Sequence, residues 1–214
     1  MIHRSSHVLA RLAAIAALSL ACTAAPSASS TPPSTPAPSA ATGGGACPTA
    51  QPQALAAGET RAVTITTDLG SMTLTIQADL SPIAAGNFVT LAECGFYDGV
   101  VFHRVVPAFV IQGGDPTGTG TGGPGYTIED EPVTTPYSRG TVAMARTPAP
   151  NSVGSQFFIV LDDSARAALE SANTYQIIGS VTQGMETADA IAAAADAQLP
   201  SDPVVMTDVS VSTP

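Results

Sequence analysis

From Arg61 onward the chain alternates apolar and polar positions. Val63 and Ile65 fall on one face, a turn at Asp68-Leu69-Gly70 interrupts, and Met72, Leu74 and Ile76 then alternate with Thr73, Thr75 and Gln77. A period of two on both sides of a short glycine turn predicts a hairpin with one buried face. The period then lengthens. Ser81-Pro82 predicts a helix start, with serine as N-cap and proline in the first turn. Ile83, Phe88, Leu91 and Ala92 supply its apolar stripe and Gly95 its stop. Short apolar runs at 100–106, 110–112, 141–145, 157–161 and 175–181 predict strands between Gly- and Pro-rich connections. A second helix is expected over 186–195, with Met185, Ala188, Ile191 and Ala192 facing inward, and a closing strand over 204–211. Many short strands, two helices and no βαβ alternation point to a mainly β fold, an antiparallel barrel or sandwich.

Residues 1–45 follow neither period. Arg4 and Arg11 flank the start of an apolar stretch at 12–20 that runs into Ala21-Cys22. A bilayer span needs ~20 apolar residues, so 1–22 is expected to be an export signal rather than a transmembrane helix. Cys22, placed after small residues, resembles the lipobox cysteine of bacterial lipoproteins, which would make it a lipidation site on the outer side of the cell membrane. Ser19 stands where leucine is usual, and ordinary cleavage nearby would instead release a secreted protein. Residues 23–45 are almost wholly Ala, Ser, Thr, Pro and Gly and read as a disordered tether, leaving 46–214 as the folded domain. Cys47 and Cys94 remain. In an oxidising compartment they invite a disulfide, the alternative being two buried free thiols.

Composition narrows the chemistry. All seven basic residues of the 214 are arginine, so Walker A phosphate binding, Schiff-base catalysis and pyridoxal phosphate chemistry lack their lysine. The net charge is −10 and every acidic residue lies at or beyond Glu59, which argues against a nucleic-acid or anionic-membrane surface on the domain. Membrane contact is expected only through Cys22. There is no CxxC, and His103 is the only histidine of the folded region, so no metal site is expected. Glu129-Asp130-Glu131 reads as a solvated acidic turn rather than a calcium site. The glycine run at 118–123 has neither a lysine nor a following helix to bind a nucleotide, and Ser152 and Ser155 have no partner histidine for a triad. No cofactor is expected, and a monomer is the default.

Three segments stand out: Phe102-His103-Arg104-Val105-Val106-Pro107-Ala108-Phe109-Val110-Ile111-Gln112-Gly113-Gly114-Asp115, Gly118-Thr119-Gly120-Thr121-Gly122-Gly123, and Gly154-Ser155-Gln156-Phe157-Phe158-Ile159, the last preceded by Met144-Ala145. In the first, an arginine lies on a strand that Pro107-Ala108 breaks, so Gln112 can emerge beside Phe109 on one apolar surface. Phe158 on another strand could complete a hydrophobic floor beside the guanidinium. An arginine at the edge of an aromatic pocket can recognise a carboxylate, a phosphate or an amide.

Over roughly residues 61–211 these motifs, in this order, resemble the cyclophilin family of peptidyl-prolyl cis-trans isomerases. The resemblance implies a closed eight-stranded antiparallel barrel capped by two α-helices, and a partner that is a proline-containing polypeptide. It assigns Arg104 as donor to the imide nitrogen and Phe109, Val110 and Phe158 as the proline pocket. Gln112 and the Ala145-Arg146 edge become backbone anchors, with Leu169 and Tyr175 lining the site. Departures from the family pattern are Val110 for a usual methionine, Arg146 for a common asparagine, one extra residue between Arg146 and Asn151, and Tyr175 for a frequent histidine. The tryptophan that favours cyclosporin binding is absent, with Ala168 or Leu169 nearby, which implies weak inhibition by that drug. A non-catalytic proline-peptide scaffold or holdase using the same groove is the competing reading.

Overall fold

A computed structural model describes residues 45–172 and 174–213. The expected export signal, Cys22 and the tether up to residue 44 lie outside the described residues. β1 (Thr60–Thr67) and β2 (Gly70–Gln77) form the predicted hairpin, pairing Val63 with Leu74 and Ile65 with Met72 so that the apolar set is buried on one face. After α1 (Pro82–Glu93) come β3 (Arg104–Val106), β4 (Val110–Gly113), β5 (Thr141–Met144) and β6 (Phe157–Val160). A 3-10 turn (Asp163–Ala165), α2 (Arg166–Ala172), β7 (Ile177–Gln183), α3 (Met185–Ala194) and β8 (Asp208–Ser212) complete the chain. The strands make one sheet in the order β3-β4-β6-β5-β7-β2-β1-β8, each neighbour antiparallel.

The sheet curls without closing. Its edge strands, β3 and β8, do not pair, so the expected closed barrel is an open half-barrel. The chain just before β3 bonds instead to the segment ahead of β8. Gly99 N donates to Met206 O at 2.8 Å, Met206 N to Val100 O at 2.9 Å, and Phe102 N to Val204 O at 2.9 Å. These bonds, with a lone bridge between Val101 and Val205, stitch the seam and cover both edges without a ladder. β3 and β8 are correspondingly shorter than the runs at 100–106 and 204–211 suggested.

A third helix also departs from the expected two. α2 has seven residues and buries only Leu169, too little periodicity to register in the sequence. At the start of α1 the expected Ser81 cap is absent: its hydroxyl is buried without a partner. Glu131 does that work from a distant loop, its two carboxylate oxygens each accepting at 2.9 Å from Ile83 N and Ala84 N. A carboxylate both satisfies the free N–H groups and meets the positive end of the helix dipole. The other end behaves as expected. Gly95 is left-handed (φ 76), with Gly95 N bonded to Ala92 O and Phe96 N to Leu91 O in a Schellman pattern.

Residues 45–59 lie as a strap against α1. Leu55 N donates to Pro82 O at 3.0 Å, and at Gly86 a Cβ would stand 2.3 Å from Gln53 O, so only glycine lets the strap approach. A Cys47–Cys94 disulfide, Cα atoms 5.2 Å apart, fixes the strap to the end of α1. Beyond β4 the glycine run folds around the Asp115 carboxylate. Oδ1 accepts from Thr117 N and Oγ1, and Oδ2 from Gly120 N at 2.6 Å and Gly122 N at 3.0 Å. Burial pushes the Asp115 carboxyl up, but these hydrogen bonds outweigh it and hold it down at about 2.

Two outcomes follow for stability. A folded-state value below the unfolded ~3.9 means the Asp115 contribution is present above about pH 4 and fades as pH falls toward 2. Urea titrations from pH 6 to pH 2 are expected to show this decline in the parent. Asp115→Asn starts about 1–3 kcal/mol lower and lacks that part of the slope; equal slopes refute the assignment. The disulfide closes a separation of 47 residues, for which the chain-entropy model gives at most ~4 kcal/mol. The Cys47→Ser/Cys94→Ser variant is expected to lose stability up to that limit, and an unchanged urea midpoint against the oxidised parent contradicts it.

Candidate active site

The site begins at the turn between β3 and β4. Pro107 and Ala108 occupy its centre, Phe109 N donates to Val106 O at 3.0 Å, and Ala108 adopts φ 56. Proline followed by a left-handed residue is the type II arrangement, in which alanine stands where glycine is favoured. The tight turn fixes the register as Arg104 opposite Gln112, Val105 opposite Ile111 and Val106 opposite Val110. β4 then pairs with β6 so that Gln112 faces Phe158 and Val110 faces Val160, and Phe158 in turn faces Ala143 of β5. Directly opposed residues of antiparallel strands project to the same side. Arg104, Gln112, Phe158 and Ala143 therefore form one row across four strands.

The other side of the same strands fills the half-barrel. Val105, Ile111, Phe157 and Ile159 belong to the main core, where Phe157 meets Phe88 and Tyr97 edge-on at 5.1 and 5.7 Å. Val110, Ala143, Phe158 and Val160 belong to a second, smaller cluster with Tyr137, Ala165, Leu169 and Ile177. Phe109, Ala145 and Tyr175 pack at its margin, half-buried. Tyr175 meets Phe158 edge to face, ring centroids 5.4 Å apart. It is held by Tyr137, whose hydroxyl donates to Tyr175 O at 2.9 Å and accepts from Tyr175 N at 3.2 Å. Burial raises the Tyr137 phenol to about 12, so it remains a donor. Of the residues expected in the pocket, Phe109, Val110, Phe158, Leu169 and Tyr175 are thus brought together. Ala168 is exposed beside buried Leu169.

A chain of amides continues from the arginine. Arg104 Nη1 donates to Gln112 Oε1 at 3.4 Å and Gln112 Nε2 to Gln156 Oε1 at 3.0 Å. Gln156 Nε2 donates to Gly120 O at 3.0 Å and Gly122 O at 2.9 Å, carbonyls of the loop that Asp115 organises. Gln156 lies in the Gly154–Ile159 motif, whose sequence alone does not point to this contact. Only the fold shows that it joins Gln112 to the glycine loop. Gln112 and Gln156, but not Arg104, border a cleft of about 620 Å³ lined also by Ala145, Arg146, Tyr126 and the loop 120–125. The cleft adjoins the apolar cluster but does not include Phe109 or Phe158.

Arg146 does not extend into open cleft. Its Nη1 lies 2.9 Å from Asp130 Oδ1, and Nε and Nη2 donate to Thr147 O and Ala149 O. Asp130 also accepts from Asn151 N at 2.9 Å, which folds the extra-length loop back on itself. The acidic run is thus exposed at Glu129 and Asp130, as expected of a solvated turn, but two of its carboxylates also have partners. Asp130 holds Arg146, Glu131 caps α1, and Gln176 Nε2 donates to both Glu131 and Glu129 O.

His103 is buried with neither ring nitrogen bonded. Burial lowers its pKa, the Asp115 charge opposing, so it stays neutral near pH 7. Ser155 Oγ is spent on Gly114 O at 2.6 Å. Among the described residues no three His, Cys, Asp or Glu side chains are placed to share a metal ion. The assembly sets an apolar aromatic surface beside a cation held by an amide.

The sequence profile of "Cyclophilin type peptidyl-prolyl cis-trans isomerase/CLD" matches residues 62–211. Peptidyl-prolyl cis-trans isomerase B of Bacillus subtilis is 47% identical over 119 residues, 53% of this chain and 80% of that one. A Helicobacter pylori peptidyl-prolyl cis-trans isomerase is 41% identical over 137 residues, 62% of this chain and 81% of its own. A bifunctional phosphatase/isomerase of Streptococcus pyogenes, 52% identical over 102 residues, is matched over only 22% of its length. The crystal structure of a Cryptosporidium parvum cyclophilin-type isomerase superposes with TM-score 0.65 at 32% identity, covering 72% of this chain and 99% of that one. The same isomerase has also been crystallised in the presence of the dipeptide Ala-Pro. With its fold, its motifs and most of its length in agreement, the chain belongs to the cyclophilin-type family of peptidyl-prolyl cis-trans isomerases.

Proposed function

We propose that this isomerase accelerates X-Pro rotation by donation from Arg104 to the imide nitrogen while the proline ring rests on Phe109, Val110 and Phe158. Rotation about the amide faces a barrier of ~18–20 kcal/mol because the nitrogen lone pair is delocalised into the carbonyl. Twisting frees that lone pair, and a donor placed beside it stabilises the twisted state more than the planar one. Arginine suits the task, being permanently charged and incapable of accepting. The observation that carries the reading is the cross-strand row Arg104–Gln112–Phe158, which sets donor and aromatic floor on one face two strand spacings apart, ~10 Å between backbones.

Magnitudes say what the slot must add. A ~10⁵-fold acceleration needs ~7 kcal/mol, whereas one hydrogen bond to a charged group contributes ~1.5–3 kcal/mol net. The remainder falls to orientation: an apolar seat holds the ring still while Gln112 and the Ala145-Arg146 backbone edge hold the flanking chain. With the Arg146 side chain engaged by Asp130, anchoring there rests on the main chain. Clients are proline-containing polypeptides outside the cytoplasm, a reading that rests on the export signal and on Cys22 as a lipid anchor. The domain acts as a monomer.

Turnover separates an isomerase from a passive binder. Protease-coupled assays of the full chain on X-Pro peptides are expected to give Arg104→Ala about 10²-fold lower kcat with peptide binding partly kept. Phe158→Ala is expected mainly to raise KM. Unchanged kcat in Arg104→Ala overturns the donor role, and absence of parental turnover favours the holdase. With Ala168 exposed where a large aromatic is wanted, cyclosporin should inhibit only in the micromolar range; nanomolar inhibition contradicts this.

A further inference from the structure

The loop joining α3 to β8 reaches the arginine from the side opposite Gln112. It leaves the helix at Ala195 in extended conformation and is closed by Asp196, whose carboxylate accepts from Ser201 N at 3.0 Å and Ser201 Oγ at 2.6 Å. Gln198, inside that closed loop, is pinned by its own main chain. Its carbonyl accepts from Val105 N at 2.9 Å, one residue beyond Arg104. With the amide turned so that its oxygen meets the donors, Gln198 accepts from Arg104 Nε at 3.1 Å and Nη2 at 3.3 Å.

We propose that Gln198 is a positioning residue for isomerisation, the second acceptor that fixes the plane of the Arg104 guanidinium. The proposal rests on the reading of Arg104 as the donor to the imide. Gln112 takes one N–H through Nη1 and Gln198 takes two through Nε and Nη2. A guanidinium has five, so two remain for substrate. Two acceptors on different edges of a planar group leave it no free rotation, whereas one long bond at 3.4 Å would let the side chain sample other rotamers.

The chemical type of the partners matters as much as their place. Among the described residues Arg61, Arg139 and Arg146 each pair with a carboxylate. Arg104 is held by two neutral amides and no salt bridge. A carboxylate in either place would orient the group but offset the charge that the twisted imide is to feel. Gln198 is itself exposed, so its replacement removes no core contact.

The test uses Gln198→Ala, Gln198→Glu and Arg104→Ala in the full chain, with kcat and KM from peptide exchange and the arginine Nε–H signal followed by ¹⁵N NMR. Gln198→Ala is expected to lower kcat about tenfold with KM and urea midpoint unchanged, and to speed solvent exchange of the Arg104 Nε–H. Gln198→Glu is expected to restore slow exchange yet leave kcat low, because the orientation returns and the free charge does not. Loss of turnover in Arg104→Ala alone, with Gln198→Ala at parental kcat, overturns the positioning role and leaves the donor standing. Parental kcat in both variants overturns the donor and the proposal with it. Full kcat in Gln198→Glu refutes the requirement for a neutral acceptor.

Discussion

Side chains on a strand alternate with a period of two, and β4 and β6 use both halves of that period at once. Ile111 and Phe157 enter the half-barrel while Gln112 and Phe158 face the opposite way, and the pairing of Gln112 with Phe158 ties the two sets together. A slip of one residue would drive a glutamine into the main core and strip the outer face of its aromatic floor. The register is thus held by the interior, where misplacing Ile111, Phe157 or Ile159 is costly, and the outer site inherits its alignment from a core it does not touch. The turn at Pro107-Ala108 completes the constraint, since its length decides which residue of β3 stands beside Gln112.

Electrostatics on that outer face are arranged in tiers. Asp115 is the formal charge of the glycine loop, and backbone N–H groups from Thr117, Gly120 and Gly122 consume it. The loop then presents carbonyls to Gln156, which passes the polarity through Gln112 to Arg104 as neutral dipoles. The cation therefore ends a hydrogen-bonded chain whose far end is anionic, without a counter-charge at its own side. Amides transmit orientation without bringing a counter-charge to the half-buried cation.

Local periodicity made much of this legible. The β1–β2 hairpin, the body of α1 and the strands β4 and β6 follow from alternation or apolar runs, whereas the grouping of Phe109, Val110, Gln112 and Phe158, which spans two distant motifs, is what the family resemblance implies. What escaped depends on partners far along the chain. Ser81 looked like a helix cap because capping is usually local, yet Glu131 fills the role from a separation of 48 residues. Arg146 reads as part of the anchoring edge and Asp130 as part of an acidic turn, and nothing local marks the 2.9 Å ion pair that joins them. α2 buries one leucine and so carries no stripe, and the seam between β3 and β8 is decided by single backbone bonds that no side-chain pattern encodes. Gln198 stands 94 residues beyond Arg104 and has no motif about it.

The clasp between Cys47 and Cys94 has a mechanical meaning. Bonds such as Leu55 N to Pro82 O, or Glu129 N to Gln51 Oε1 at 2.9 Å, bind the strap over residues 48–59 and would unzip one at a time under a pull from the N-terminal side. The covalent link lies ahead of them. Tension entering at residue 47 crosses the sulfur bridge into the end of α1, which is buried along most of its length, before any of those bonds bears load. A domain hung by its leading end would thus be gripped by its central helix, and the first strand of the sheet would hang slack.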